Sequence, residues 1–284
     1  MKLNDKGESS AGKLSIVGTP IGNLGDISKR AIDAINSADV ILCEDTRRAR
    51  KLISALGIGS KKLIVINSHT ENSQLLAIED LLNNGSNIVL TSDAGMPTVS
   101  DPGQPLINHL TTLNYRVEVV PGPCSVSSAL ALSGFESSRY CFEGFLPRKG
   151  KLRSDRLVAV AETQSVVVIF ESPHRVGATL AEFVALGIGS RVCAVIKEIT
   201  KLHEGVQRGT IADMAEVFQA KSKGEFVIVL DAAEIAIDIS DEQILDELVR
   251  LLKQGESTKS AIELVASNNQ IGKNKVYEIY LSNK

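Results

Sequence analysis

From residue 14 to residue 132 the chain alternates between two hydrophobic rhythms. Short apolar runs fall at Leu14–Val17, Val40–Cys43, 63–66, Ile88–Leu90 and Val117–Val120. Between them, apolar positions recur at helical spacing, as in Ala31, Ile32, Ala34 and Ile35, and again in Leu75, Leu76, Ile78, Leu81 and Leu82. The first rhythm predicts strands and the second predicts helices that bury one face. Their strict succession predicts a mainly parallel sheet flanked by helices. Small and polar residues at 134–138 break the pattern and mark a lobe boundary. A second lobe follows, with strands at Tyr140–Phe145, 166–170, 192–196 and Phe226–Leu230, helices near 153–161 and 177–186, and a sheet of parallel or mixed sense. After Asp231 an acidic, small-residue linker leads to three amphipathic helices through 245–252, 261–266 and 275–281. They form either a helix-turn-helix appendage or a cap that only buries its apolar faces. The expected organisation is an extension at 1–12, α/β lobes at 13–133 and 134–233, and a helical unit at 240–284.

Composition refines this picture only modestly. A chain of 284 residues with 43% hydrophobic and 23% charged positions is ordinary globular material, long enough for two lobes. Its longest apolar runs fall well short of the roughly 20 residues a membrane-spanning helix needs. The polar start lacks the apolar core of a signal peptide, which predicts a soluble, cytoplasmic protein. A net charge of -3 exerts no global pull on nucleic acid, so any such contact must come from local basic patches. Cys43, Cys124, Cys141 and Cys193 are scattered, form no C-x-x-C pair, and are expected to be buried, reduced thiols. Cys124 lies in a candidate ligand loop but has no obvious base beside it to make it a nucleophile.

Ligands in such sheets bind beyond the carboxyl ends of strands. Three strand ends here run into loops rich in glycine and proline. The first, Gly18-Thr19-Pro20-Ile21-Gly22-Asn23-Leu24-Gly25-Asp26, fits neither a dinucleotide fingerprint nor a phosphate-cradling loop. The second runs from Thr91 to Gly103 and carries two Asp, two Pro and two Gly, which fix the backbone while leaving room for close approach. The third, Pro121-Gly122-Pro123-Cys124-Ser125, opens a helix whose free amides suit an anion. Spacing alone therefore predicts a small polar ligand in an α/β cleft.

Those loops, with Cys43-Glu44-Asp45-Thr46-Arg47 and Glu143-Gly144-Phe145-Leu146-Pro147-Arg148, resemble the tetrapyrrole-methylase superfamily. Glu171-Ser172-Pro173-His174-Arg175 and the run from Glu198 to Glu204 resemble, within it, the branch that methylates small-subunit ribosomal RNA. Met96 and Thr98-Val99 stand where that branch is expected to carry Thr and Gly-Ile, and Thr70-Glu71 is likewise unusual. The resemblance implies a two-lobed fold with S-adenosyl-L-methionine in the cleft between lobes, no metal, and 2'-O-methylation of a decoding-centre cytidine in 16S rRNA. It also implies a homodimer acting on the small ribosomal subunit. By the same resemblance Pro20, Asp93, Gly95, Val99, Ser100 and Ser125 surround the cofactor, and Phe170 and Glu171 with Arg208 and Gly209 close it from the second lobe.

Methyl transfer to a hydroxyl needs alignment and a proton acceptor. Glu44, His69, Glu71, Glu171 and Glu198 are all candidate bases, and the sequence does not choose among them. Two basic clusters are candidate RNA contacts: Arg47, Arg48, Arg50 and Lys51 on a predicted helix, and Arg148, Lys149, Lys151, Arg153 and Arg156 after Pro147. His174, Arg175 and Lys201, with His203, are expected to position the substrate. Two rivals stand beside this reading. One is a relative acting on a porphyrinoid or protein; the other is a ligand-sensing DNA-binding regulator, disfavoured because the second tail helix is poor in Arg.

Overall fold

The computed structural model describes residues 12–67, 70–220, 222–233, 240–269 and 271–283. Its first sheet contains β1 (Leu14–Val17), β2 (Val40–Cys43), β3 (Lys62–Val65), β4 (Ile88–Leu90) and β5 (Val117–Val120), in spatial order β3-β2-β4-β1-β5. Every pairing in it is parallel. The strands therefore all point their carboxyl ends to one edge, and the loops after β1, β2, β4 and β5 gather there. Helices α1 (Lys29–Ser37), α2 (Thr46–Ala55), α3 (Glu71–Asn83) and α4 (Gln104–Thr112) connect them. Ser28 and Asp45 start α1 and α2 by accepting from the amides of Ala31 and Arg47. Two clusters, one around Leu42, Ile78 and Leu106 and the other around Val17, Ile35 and Ile41, form the core. The predicted apolar face of α3 is narrower than the sequence suggested. Ile78 and Leu82 are buried, whereas Leu76, two residues before Ile78 and so about 200° around the helix from it, is 74% exposed.

The second sheet is mixed, in order β6-β7-β10-β8-β9. It contains β6 (Tyr140–Phe145), β7 (Val166–Glu171), β8 (Val192–Lys197), β9 (Gly205–Thr210) and β10 (Phe226–Leu230). β6 and β7 are parallel, and the other pairs are antiparallel. β9 is an edge strand with a polar, glycine-containing sequence that carries no strand signature. Its hairpin with β8 supplies the hydrogen bonds that its side chains do not predict. Cys141 lies on the other edge strand, β6, and is exposed, correcting the expectation of four buried thiols; Cys124 is half-buried, and Cys43 and Cys193 are buried.

Helix α5 (Ser125–Ser133) follows the last strand of the first sheet, yet its Val126, Ala129 and Leu130 pack on Val166, Val168, Ile196 and Val229 of the second. Gly134, at φ +76°, ends this helix. Helices α6 (Lys151–Glu162), α7 (Val176–Phe183) and α8 (Ile211–Val217) cover the opposite face of that sheet around Phe183 and Ile228. One helix thus bridges the two lobes and holds the cleft edges together.

Contacts divide the chain into two compact units at Ala232/Ala233. In the second unit α9 (Asp241–Lys253), α10 (Thr258–Asn268) and α11 (Lys273–Ser282) bury Ile244, Leu248, Val265 and Val276 against one another. Ser240 and Gln243 close a reciprocal capping box at its start. Among the described residues, no helix is long and apolar enough to cross a membrane.

Candidate active site

A cavity of about 480 Å³ opens at the carboxyl edge of the parallel sheet. Ile21, Glu44, Arg48, residues 93–96 and 99–101, and Ser125 line it from the first lobe. Phe145, Phe170, Ile199 and Phe226 are among those closing it from the second. Its volume is that of a small-molecule site.

Backbone contact between loops shapes the cradle. Thr19 and Gly95 exchange amide-to-carbonyl hydrogen bonds at 2.9 and 3.1 Å, tying the β1 loop to the β4 loop. A Cβ on Gly18 would lie 2.7 Å from Gly122, and one on Gly122 would lie 2.8 Å from Gly18. Neither backbone can retreat without moving a strand end, so both positions require glycine. Gly95 adopts φ +87°, and Thr98 and Ser100 hold φ +72° and +69°. A β-branched residue rarely adopts that conformation. Thr98 sits where the resemblance led us to expect Gly, and the strain explains that expectation.

Negative charge concentrates on the cavity floor. Asp93 accepts from the amide of Asp45 at 3.2 Å and faces Arg48 at 3.4 Å. Glu44 Oε1 is shielded from solvent and has no hydrogen-bond partner among the described residues. Burial first, then the neighbouring Asp101 and Asp93 carboxylates, push the Glu44 carboxyl up to about 7. Burial likewise raises Asp101 to about 6. A carboxyl held half-ionised at neutral pH suits proton acceptance.

Of the residues expected around a cofactor, Asp93, Gly95, Val99, Ser100, Ser125, Phe170 and Glu171 line this cavity. Pro20 lines a smaller adjoining one of about 230 Å³ that shares Arg48 and Asp93. Arg208 and Gly209 lie elsewhere, on edge strand β9. The Arg208 guanidinium donates to the carbonyls of Ser133 and Leu132 and so satisfies the end of α5. Glu171 reaches the wall with its carboxylate already committed: Oε1 accepts from the Ser172 amide at 2.7 Å, and Oε2 accepts from Arg175 at 2.9 Å and Thr179 at 2.7 Å.

The other candidate bases separate similarly. Glu71 is buried and accepts from the Leu106 amide at 2.9 Å, capping α4. Glu198, at φ +52°, pairs with Lys201 at 2.9 Å and accepts from the Glu225 amide, which holds its carboxyl below the usual range. His69 lies outside the described residues.

The basic candidates divide by partner. Arg153 leaves the surface cluster: it is 8% exposed and donates to Glu182, Thr179 and the Pro147 carbonyl. Arg175 donates to Glu171 and the Leu146 carbonyl, and Lys201 is held between Glu198 and Glu225. Helical spacing put Arg153 on a charged run but could not say that this face of α6 meets α7. Arg47 is exposed but bonded to Asp45, Lys151 pairs with Asp155, and Arg156 pairs with Glu143. Arg148, Lys149 and His174 are exposed, as are Arg50 and Lys51. Among the described residues no acidic partner faces Arg148 or Lys149.

Glu182, Arg153, Thr179, Glu171 and Arg175 thus form one polar network under the second-lobe wall. Thr179→Val removes its central hydroxyl and leaves Arg153 and Glu171 each one partner short. The expected cost is about 1–3 kcal/mol, measurable as a lower midpoint in urea.

The site suits the donor implied by the sequence. Ile21, Met96, Val99, Phe170 and Phe226 offer apolar walls for an adenine and the carbon chain beside the sulfonium. Asp93, Asp101 and Glu44 complement positive charge, and the first turn of α5 at Ser125 presents amides to a carboxylate.

Comparison with known proteins agrees. The chain is 42% identical over 224 residues to "Ribosomal RNA small subunit methyltransferase I" of Thermotoga maritima, covering 78% of this chain and all of that one. It is 37% identical to the protein of the same name from Vibrio cholerae, covering 95% and 94%. It is 34% identical to that of Escherichia coli O157:H7, covering 99% of each. Among solved structures, diphthine synthase superposes with a TM-score of 0.61 at 15% identity, covering 77% of this chain and 90% of that one. Cobalt precorrin-4 methyltransferase superposes with a TM-score of 0.60 at 19%, covering 79% and 97%. The family model described as "Tetrapyrrole (Corrin/Porphyrin) Methylases" matches residues 13–215. The parallel sheet with its mixed partner, the cradle at the strand ends and this match place the chain in the tetrapyrrole methylase family, whose members are S-adenosyl-L-methionine-dependent methyltransferases.

Proposed function

We propose that the protein methylates the ribose 2'-hydroxyl of a decoding-centre cytidine in 16S rRNA. The observation that carries this reading is the near full-length similarity to relatives whose names specify small-subunit ribosomal RNA. S-adenosyl-L-methionine, when bound, supplies an electrophilic methyl group. The protein's own residues then have three tasks. The 91–103 loop and the start of α5 hold and orient the donor. Phe170, Ile199 and Phe226 keep water from the reacting centre. Glu44 accepts the proton that the hydroxyl oxygen must lose as its bond to carbon forms. Among the described candidate bases, it alone combines a place in the cavity with an uncommitted oxygen.

Arg148 and Lys149, exposed three and four residues after the cavity-lining Phe145, hold phosphates. Reversing both to Glu weakens binding of small ribosomal subunits and lowers the slope of log affinity against log salt by roughly 1.5 to 2. Cofactor affinity stays unchanged. Parallel loss of both affinities would remove these two residues from the RNA surface.

Mass spectrometry of 16S rRNA from cells with and without the gene tests the function. One ribose methyl in the decoding centre should disappear with the gene and return with a plasmid copy. An unaltered modification map contradicts the reading.

A further inference from the structure

The register of β6 against β7 contains a single irregularity. Phe142 pairs with Val168, Gly144 with Ile169 and Phe145 with Phe170, so Glu143 and Gly144 together oppose one residue. This is a β-bulge, and it reverses which side later residues face. In a regular strand Phe145 would point opposite to Phe142. With the extra residue, Phe142 and Phe145 share the face that Phe170 occupies. The rings report it: Phe142 and Phe170 meet edge-to-face with centroids 4.9 Å apart, and Phe145 and Phe170 at 5.6 Å. Gly144 makes the turn possible at φ +62°, and a Cβ there would come within 3.0 Å of Ser100 Oγ on the donor loop.

The outcome is a row of three rings running from the second-lobe core into the cleft. Phe142 and Phe170 pack against the core, and Phe145, lining the cavity, remains 61% exposed. An aromatic ring left that open at a cavity mouth loses apolar burial unless a ligand covers it. Three and four residues further on, Arg148 and Lys149 are exposed cations with no acidic partner among the described residues. Aromatic surface beside unpaired positive charge is the combination that binds unstacked nucleotides: the ring takes the base and the cations take the phosphates.

We propose that Phe145 is the stacking platform for the nucleobase of the target nucleotide, turned out of its RNA stack so that its ribose reaches the cavity floor. The bulge at Glu143 and Gly144 is the device that aims the ring. The proposal rests on the RNA methyltransferase reading above. A ribose brought down to the cavity floor takes its nucleotide out of the stack, and a flat partner compensates the lost stacking.

The test compares wild type, Phe145→Ala, Phe145→Trp and Phe145→Tyr in methylation of purified small ribosomal subunits, with cofactor affinity measured by calorimetry on each. The expected result is a drop in kcat/KM for subunits of about 10- to 100-fold in the Ala variant. Cofactor affinity should stay within about twofold, and activity should return in the Trp and Tyr variants. Three results overturn the proposal: unchanged kcat/KM in the Ala variant, a parallel fall in cofactor affinity that assigns the ring to the donor's adenine, or Trp and Tyr variants as impaired as Ala. Wild type that labels no RNA removes the parent reading and this one together. Active wild type with an unaffected Ala variant removes this one alone.

Discussion

Glu44→Gln leaves S-adenosyl-L-methionine bound with near wild-type affinity while turnover on ribosomal subunits falls about 10²- to 10⁴-fold. The amide keeps the size of the side chain and its place in the cavity but cannot take up a proton. The pH dependence is the sharper diagnostic. With its carboxyl raised to about 7 by burial and by Asp101 and Asp93, Glu44 is a competent acceptor only when ionised. The wild-type rate should therefore climb as pH rises through about 7, and the residual rate of Glu44→Gln should lack that step. Stability moves the opposite way. A carboxyl whose folded pKa exceeds its ordinary 4.5 favours the folded state while protonated. That contribution is complete below about 4.5 and is lost as pH rises through about 7. Wild type should accordingly lose stability relative to Glu44→Gln between pH 5 and pH 8, which thermal melts at the two pH values would measure. Of the other charges on the floor, Arg48 and Asp93 are paired with each other, and Asp101, raised to about 6 by burial, titrates in wild type and in Glu44→Gln alike, so the difference between their profiles reports Glu44. A Glu44→Gln enzyme with ordinary turnover would assign the proton to another acceptor.

Gly95→Val is expected to lower cofactor affinity by more than about 100-fold. Two costs act together. Valine is disfavoured at φ +87°, a strain of about 1–3 kcal/mol in a loop whose amide and carbonyl are both bonded to Thr19. Its Cβ would also lie 3.2 Å from Ile21 Cγ2, and the branched methyls would extend towards the donor space. Pro123 O lies 3.5 Å from the same Cβ, an ordinary contact, so the crowding comes from Ile21. Gly95→Ala carries the strain with less intrusion and should lose less. Calorimetry separates the two variants, and a melting profile confirms that the Thr19–Gly95 bridge still forms. Undiminished affinity in the Val variant would place the donor somewhere other than against this loop.

The parallel half was legible from sequence because a strand buried on both faces is a compact apolar run, as in β1, β2 and β4, and edge strand β5 keeps three valines in four residues although Val119 is exposed. The candidate loops were legible for a related reason: glycine and proline cluster where two backbones must touch, as Gly18 and Gly122 do. β9 was not, since an edge strand is specified by the hydrogen bonds of its neighbour more than by its own side chains. The fate of charged groups was equally hidden. Arg153 and Arg208 read as surface or ligand cations, yet one is buried against Glu182 and the other caps α5. Glu171 shows the same limit, because its partner Thr179 is eight residues away on another element. Phe145 was visible as an aromatic in a motif, but its direction depends on a bulge that only the pairing register reveals.

Under the proposed function, this cleft delivers a methyl group to a ribose oxygen of RNA. Purified protein incubated with unmethylated small ribosomal subunits and isotope-labelled S-adenosyl-L-methionine, followed by nuclease digestion and mass spectrometry of the nucleosides, tests it most directly. Label is expected in 2'-O-methylcytidine from a single position. Label on a base carbon, on ribosomal protein, or on no component of the subunit would contradict it.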